Sequence, residues 1–216
     1  MNIILFGSPG AGKGTQADKI VKDLNFHKVS TGDLLRKEVK NNIDFANKIK
    51  PTIDQGLLVS DDIINNLIVK ILTNNKYYNR LIFDGYPRNL NQAENLTLLV
   101  KKYNQKISCV LNLDIDKEAV IKRILGRVVC SKCGLTFNKY INPPNKEKYD
   151  CSLIYLKTRA DDNEKTINNR YEAYTKKTLP ILDYYSDQKI LHKIDGTREI
   201  DQIYVEIRSI IDSLET

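Results

Sequence analysis

The segment from Met1 to Thr15 does most to limit what this chain can become. Met1-Asn-Ile-Ile-Leu-Phe6 is a short run of apolar strand formers, and it opens directly into Gly7-Ser-Pro-Gly-Ala-Gly-Lys-Gly-Thr15. A strand that empties into a glycine-rich loop, followed by a lysine and a helix start, builds an anion cradle. Glycines let backbone N–H groups turn inward and approach phosphate oxygens with no Cβ in the way. The helix start adds free N–H donors and partial positive charge. In this cradle Gly10, Ala11, Gly12 and Gly14 supply backbone, Lys13 a mobile full charge for the outer phosphates, and Thr15 a hydroxyl. The strict phosphate-loop pattern places Ser or Thr directly after the lysine, whereas Gly14 intervenes here. The bland alternative is an ordinary glycine turn, and the order strand, loop, lysine, helix argues against it.

The rest of the chain continues the alternation. Strands are expected at Ile3–Phe6, His27–Ser30, Leu81–Asp84, Ser108–Leu113 and Ile190–Ile194. Helices are expected at Lys13–Leu24, Asp33–Lys40, Ala46–Gln55, Asn89 to about Tyr103, Lys117–Leu125 and Ile200–Leu214. A further helix opens at Ser60-Asp61-Asp62, an acidic start, and Ile63, Ile64, Leu67, Ile68, Ile71 and Leu72 give it an apolar face at helical spacing. The βαβ alternation implies an α/β fold with a parallel sheet covered on both faces. Two stretches break the rhythm. Residues 31–59 hold short helices and no strand. Residues 126–163 carry Cys130-Ser-Lys-Cys133, a polar and aromatic stretch, Asn142-Pro-Pro144 and a run of charges. The second stretch reads as an inserted subdomain of small strands and turns, placed where a mobile cover would sit.

A chain of 216 residues with 41% hydrophobic content sustains one sizeable core with insertions. The net charge of +7 fits either nucleic acid or a small polyanionic substrate. No zinc-finger, RNP or basic-helix pattern supports nucleic acid. The few apolar residues before the glycine loop are too short for a secretory core, and no apolar run approaches a membrane span. The expectation is a soluble cytoplasmic protein without a membrane partner. Of 34 basic residues only nine are arginine: Arg36, Arg80, Arg88, Arg123, Arg127, Arg159, Arg170, Arg198 and Arg208. Lysine cannot replace arginine where a planar bidentate donor is needed, so arginines inside motif-like segments carry weight.

Those segments are Gly7 to Thr15, Ser30-Thr-Gly-Asp-Leu-Leu-Arg36, Gly56-Leu-Leu-Val59, Phe83-Asp-Gly-Tyr-Pro-Arg88 with Gln92, Arg123-Ile-Leu-Gly-Arg127, and Thr158-Arg-Ala-Asp-Asp162 with Arg170. Through them the chain resembles, nearly end to end, adenylate kinases of the bacterial, long-lid type within the nucleoside monophosphate kinase family. The resemblance implies a P-loop three-layer α/β fold with a five-stranded parallel sheet. It implies a core of residues 1–30, 60–125 and 164–216, an AMP-binding subdomain at 31–59 and a lid at 126–163. The reaction implied is Mg·ATP + AMP ⇌ Mg·ADP + ADP, with ATP, ADP and AMP as partners, Mg²⁺ as cofactor, and a monomeric enzyme.

Phosphoryl transfer asks a protein for alignment, charge neutralisation and exclusion of water. By resemblance, the donor triphosphate rests on Gly10 to Thr15 with Lys13 on its terminal phosphates. Arg127 and Arg159 correspond to lid arginines that reach the transferring group, and Arg36, Arg88 and Arg170 to a clamp on the acceptor phosphate. Bidentate recognition of phosphate favours arginine in these places. Arg123 corresponds to the residue stacked on the ATP adenine, Thr136 and Phe137 to lid backbone on its other side, and Arg198 to a backbone contact with that base. For AMP the matching positions are Thr31, Leu57, Leu58, Val59, Gly85, Tyr86, Pro87 and Gln92, whose amide can pair with an adenine edge. Without the resemblance Gln92 reads sooner as a surface glutamine. Asp84 is expected to hold waters on Mg²⁺, its plainer reading being a cap or structural aspartate. Asp161 and Asp162 correspond to a lid hinge and arginine network. No general base is needed, because the acceptor phosphate is already a nucleophile.

Cys130 and Cys133 form half of a zinc ribbon. Asp150 and Cys151 are the only candidates for the other half, adjacent rather than spaced, so structural Zn²⁺ competes with a lid held by hydrogen bonds and packing, with Tyr140 and Tyr149 at hand. Cys109 reads as a core thiol. Rival functions are a UMP/CMP or GTP-dependent monophosphate kinase and a GTPase-like switch. Thr31 and Gln92 favour AMP as acceptor. None of the Asn-Lys pairs, at Asn47, Asn75, Asn138 and Asn145, has the aspartate a guanine reader requires.

Overall fold

The computed structural model describes residues 1–141, 143, 153–159 and 161–215. Along the chain, β1 (Asn2–Gly7) leads to α1 (Lys13–Leu24) and β2 (His27–Ser30). Three helices, α2 (Thr31–Asn41), α3 (Ile43–Asp54) and α4 (Asp61–Leu72), precede β3 (Leu81–Asp84). Next come α5 (Leu90–Lys102), β4 (Ile107–Asp114) and α6 (Lys117–Leu125), then three short strands, β5 (Arg127–Cys130), β6 (Thr136–Asn138) and β7 (Leu156–Lys157). The chain closes with α7 (Glu164–Ala173), a π-helical segment Tyr174–Thr178, α8 (Ile181–Asp187), β8 (Leu191–Asp195) and α9 (Ile200–Glu215).

Five strands form one parallel sheet in the order β2-β3-β1-β4-β8. Every residue of β1 is buried, as a central strand covered on both faces requires. Its side chains alternate between two apolar layers. Ile4 and Phe6 pack with Phe83, Ile68, Leu96 and Tyr185 on one side. Ile3 and Leu5 pack with Ile82, Ala17, Ile20 and Ile207 on the other. Helices therefore cover both faces, and the loops after β1 and β3 open at the carboxyl edge of the sheet, where open α/β sheets bind ligands.

The helices of residues 31–59 start earlier than their apolar pattern suggests because each is capped. The Ser30 hydroxyl accepts from Asp33 N, and Asn42 Oδ1 accepts from Phe45 N at 3.0 Å. Between α6 and α7 the described residues form an antiparallel sheet of order β6-β5-β7 with its own small core of Val128, Cys130 and Phe137. The pair α7 and α8 is not anticipated by periodicity. In α7 only Thr166 and Ile167 are buried, so it lacks the repeating apolar face that marks a helix in sequence. Its local signal is the cap, Asn163 Oδ1 accepting from Thr166 N at 3.0 Å.

Candidate active site

A cleft of about 500 Å³ lies at the carboxyl edge of the sheet, floored by residues 9–16. Its glycines serve different ends. Gly12 caps the start of α1 at φ +97°, in the left-handed region, and a Cβ there would point into open space. Gly10, at φ +83°, is pressed against α6, where a Cβ would stand 2.7 Å from Ile124 Cγ1. At Gly14 a Cβ would meet only Asp84 Oδ2, at 3.7 Å. The protein's own packing thus tolerates a side chain at Gly14, and glycine there keeps the space between α1 and Asp84 open. The first amides of α1 carry the positive end of the helix into the cleft.

Lys13 Nζ donates to Gly7 O at 2.8 Å and Ser8 O at 2.9 Å. Burial, reinforced by Arg88, Arg170 and Arg127, pushes its pKa down to about 8 against the pull of Asp84. Asp84 ends β3 and lines the same cleft as Thr15. A carboxylate and a hydroxyl beside a phosphate cradle are the hard oxygen donors that suit hydrated Mg²⁺.

The arginines converge here from separate elements. Arg88 Nε donates to Gly85 O at 2.7 Å, and the Thr31 hydroxyl donates to the same carbonyl at 2.9 Å. Arg36 folds over Gly32 and pairs with Asp33 at 2.5 Å. Arg127 grips Asp162 with two bonds, Nη2 to Oδ1 and, at 2.8 Å, Nε to Oδ2. Arg170 Nη1 donates to Asp161 Oδ2 at 3.1 Å and lies 3.7 Å from Asp162 Oδ1. The Asp162 side chain is 2% exposed, so it sits inside the cluster it holds. Arg159 has Arg127 and Arg36 as neighbouring cations and Asp33 and Asp162 as opposing charges. Burial lowers the pKa of Arg88 and Arg159, and burial followed by Arg127 brings Arg170 down to about 10. All remain charged near neutrality, and their repulsion is relieved by a polyanion placed among them.

A narrower pocket adjoins this cluster and is lined by Thr31, Leu57, Leu58, Val59, Gly85, Tyr86, Arg88 and Gln92. Pro87 lines the main cleft. Gln92 is buried at 3% exposure rather than lying on the surface. Its Oε1 accepts from Arg88 N at 2.7 Å and its Nε2 donates to Asp61 Oδ1 at 2.6 Å. Helix α7, which lends Arg170 to the pocket lining, is tied to the end of α3: Thr166 Oγ1 donates to Asp54 O at 3.5 Å and Asn169 Nδ2 to Gln55 O at 3.1 Å. Two carboxylates that brace site residues are not singled out by the sequence. Asp61 shows in sequence only as part of an acidic helix start, and Asp33 only as a polar residue within a motif.

On the opposite side of the cleft, Arg123 Nη1 reaches Ala11 O at 3.5 Å. The Phe137 side chain packs into the small core beside Val128 and Cys130, so Phe137 can meet a ligand through its backbone, beside Thr136 in the cleft wall. Arg198 pairs with Glu206 and donates from Nε to Asp195 O at 3.4 Å, which likewise leaves its backbone for the cleft. Gln16 Nε2 braces the neighbouring turn by donating to Ile200 O at 2.9 Å.

The zinc expectation is not supported. Cys130 is buried in β5 and Cys133 is exposed in the turn that follows. No group of three or more His, Cys, Asp or Glu placed to hold a metal stands among the described residues, and Asp150 and Cys151 lie outside them. Cys109 is buried, as expected, and burial pushes its thiol up to about 12.

Comparison with known proteins adds independent findings. A family model described as Adenylate kinase matches residues 5–190. The chain is 47% identical over 211 residues to an adenylate kinase of Pelagibacter ubique (strain HTCC1062), covering 98% of this chain and 99% of that protein. It is 40% identical over 213 residues to one from Methanosarcina barkeri (strain Fusaro / DSM 804), covering 98% of each. It is 37% identical over 214 residues to one from Listeria innocua serovar 6a, covering 99% and 100%.

Proposed function

Because the chain belongs to the adenylate kinase family, we propose that its cleft aligns ATP and AMP for reversible transfer of the terminal phosphoryl group, yielding two ADP. The observation that carries this reading is the gathering of Lys13, Arg88, Arg127 and Arg170 at one end of the glycine loop. Lys13 and the amides of Gly10 to Thr15 hold the ATP phosphates. On binding, Lys13 exchanges the loop carbonyls for phosphate oxygens. Arg36, Arg88 and Arg170 fix the acceptor phosphate, and Arg127 and Arg159 stabilise the charge spread over the transferring group. Asp161 and Asp162 pre-orient Arg127 and Arg170, so little ordering remains to be done when substrate binds. Asp84 and Thr15 would hold Mg²⁺, which supplies charge neutralisation at the phosphates when it is bound with ATP.

Arg123, the backbone of Thr136 and Phe137, and the turn at Arg198 receive the ATP base. The AMP base enters the pocket of Thr31, Leu57 to Val59, Gly85 and Gln92. Residues 31–59 and 126–163 act as covers that close over the two substrates and exclude water. The enzyme is read as a cytoplasmic monomer. In support, both nucleotide sites are built within one chain, and no helix among the described residues is long and apolar enough to cross a membrane. Conversion of ATP plus AMP into ADP, followed directly, is expected to be lost in Lys13→Ala. Retained turnover in that variant, or faster phosphorylation of UMP than of AMP, would refute the assignment.

A further inference from the structure

We propose that Asp61 is a positioning residue that makes the acceptor pocket prefer a 6-aminopurine over a 6-oxopurine nucleotide, by fixing which way round the Gln92 amide stands. The inference rests on the reading of Gln92 as the group that meets the acceptor base. Asp61 itself stands behind the pocket wall: Gln92 lines the pocket, and Asp61 reaches it only through Gln92.

A primary amide has two lone pairs on its oxygen and two hydrogens on its nitrogen. Here one of each is already engaged. Gln92 Oε1 accepts from Arg88 N at 2.7 Å, and Gln92 Nε2 donates to Asp61 Oδ1 at 2.6 Å. Turning the amide over would set an NH₂ against the Arg88 N–H and a carbonyl oxygen against the Asp61 carboxylate. Both contacts would then be repulsive. The amide therefore presents one N–H and one lone pair to the pocket, in a fixed order.

That order matches adenine, which offers a ring-nitrogen acceptor beside an N6–H donor. A 6-oxopurine puts an oxygen acceptor where Oε1 needs a donor, and the amide cannot turn to meet it. Asp61 is itself held. Asn89 Nδ2 donates to both of its oxygens, at 3.0 and 3.2 Å, while Asn89 Oδ1 accepts from Gln92 N at 2.8 Å. Asp61, Asn89 and Gln92 thus form a closed ring joining the first turns of α4 and α5.

The test measures binding of AMP and of inosine monophosphate to the full chain by titration calorimetry, with steady-state rates at saturating Mg·ATP. Asp61→Ala is expected to lower the AMP-to-IMP affinity ratio about tenfold, the size of one charge-assisted hydrogen bond, and to raise the KM for AMP while leaving kcat nearly unchanged. Asp61→Asn keeps the volume but can present either end of its own amide, so it no longer selects an orientation. The same loss of preference is expected there, and it decides the matter should the alanine variant fail to fold. Asp62→Ala removes a neighbouring exposed charge from the same helical turn. It should leave the ratio unchanged, whereas a helix-start role for Asp61 predicts equal effects from both aspartates. An unchanged ratio in Asp61→Asn, with a collapsed ratio in Gln92→Ala, overturns the inference and leaves the reading of Gln92 intact. An unchanged ratio in Gln92→Ala overturns both.

Discussion

Lys13 ties the affinity of the cleft for ATP to pH in a way that can be worked out beforehand. Its pKa is held down to about 8 by burial and by neighbouring arginines, and triphosphate oxygens beside it would return that pKa to the ordinary lysine range or above. ATP binding is then accompanied by proton uptake above pH 8. Affinity is complete below the pKa of the free protein and is lost as pH rises through the interval up to the pKa of the complex. Between pH 7 and pH 9.5 the loss should be about thirtyfold, or ~2 kcal/mol at 1.36 kcal/mol per pKa unit. Arg170, held near 10, begins to lose its proton only at the top of this range and faces the acceptor side. The measurement is ATP binding by calorimetry without AMP or Mg²⁺, in buffers of differing ionisation enthalpy so that the proton uptake is read directly. Lys13→Arg, weaker overall, should give a flat profile because a guanidinium stays charged throughout. A wild-type affinity that varies less than threefold, or an equal fall in Lys13→Arg, would refute the assignment of this proton to Lys13. The folded protein alone should show the opposite trend from this group. A lysine whose folded pKa lies below its unfolded value binds fewer protons when folded, so its contribution to stability rises between about pH 8 and the unfolded value.

Four further outcomes follow from the geometry. Gly10→Ala forces a methyl to within 2.7 Å of Ile124 Cγ1 at a positive φ and should lose about 1–3 kcal/mol of stability in urea unfolding. Gly14→Ala should unfold within ~0.5 kcal/mol of wild type, yet turn over about ten- to hundredfold more slowly, because its methyl occupies the space facing Asp84. Asp162→Ala removes the carboxylate that grips Arg127; about 2–3 kcal/mol of stability should be lost, with a fall in kcat larger than any rise in the KM for ATP. Tyr185→Phe should raise stability by about 1 kcal/mol in thermal unfolding with unchanged activity, since the buried Tyr185 hydroxyl has no hydrogen-bond partner among the described residues.

The parts of the molecule legible in the sequence are those whose chemistry is local. The strands His27–Ser30 and Leu81–Asp84 and the helices Lys13–Leu24 and Lys117–Leu125 lie at the residues their patterns indicate, because each carries a complete period and a clear boundary. Helix α7 was not legible: its buried side is made by Thr166, which donates to Asp54 O at the end of α3, and by Ile167, which packs into the layer of Ile3 and Leu5, contacts between segments far apart in the chain. Gln92 illustrates the same limit within the site. As a polar residue on a helix it suggests the surface, yet it is buried by its bonds to Asp61 and the Arg88 amide. The arginines could be picked out by their motifs, but their pairing with Asp161 and Asp162 depends on β5 and α7 meeting in space.

The position of β1 in the sheet also sets a problem of assembly in time. It precedes its partners in the chain and is buried along its whole length, yet they come much later. Ile3 pairs with Ile82 on one side and with Cys109 on the other. Until both neighbours exist, the nascent strand has two unsatisfied edges and no sheet to join, a state open to aggregation. The glycine loop cannot take its shape before then either, since Gly10 rests on α6, further along still. The anion cradle of residues 7–15 therefore cannot become competent before β4 and α6 have been made. Because its closing contacts are so distant in sequence, its formation should be slow compared with that of the local helices.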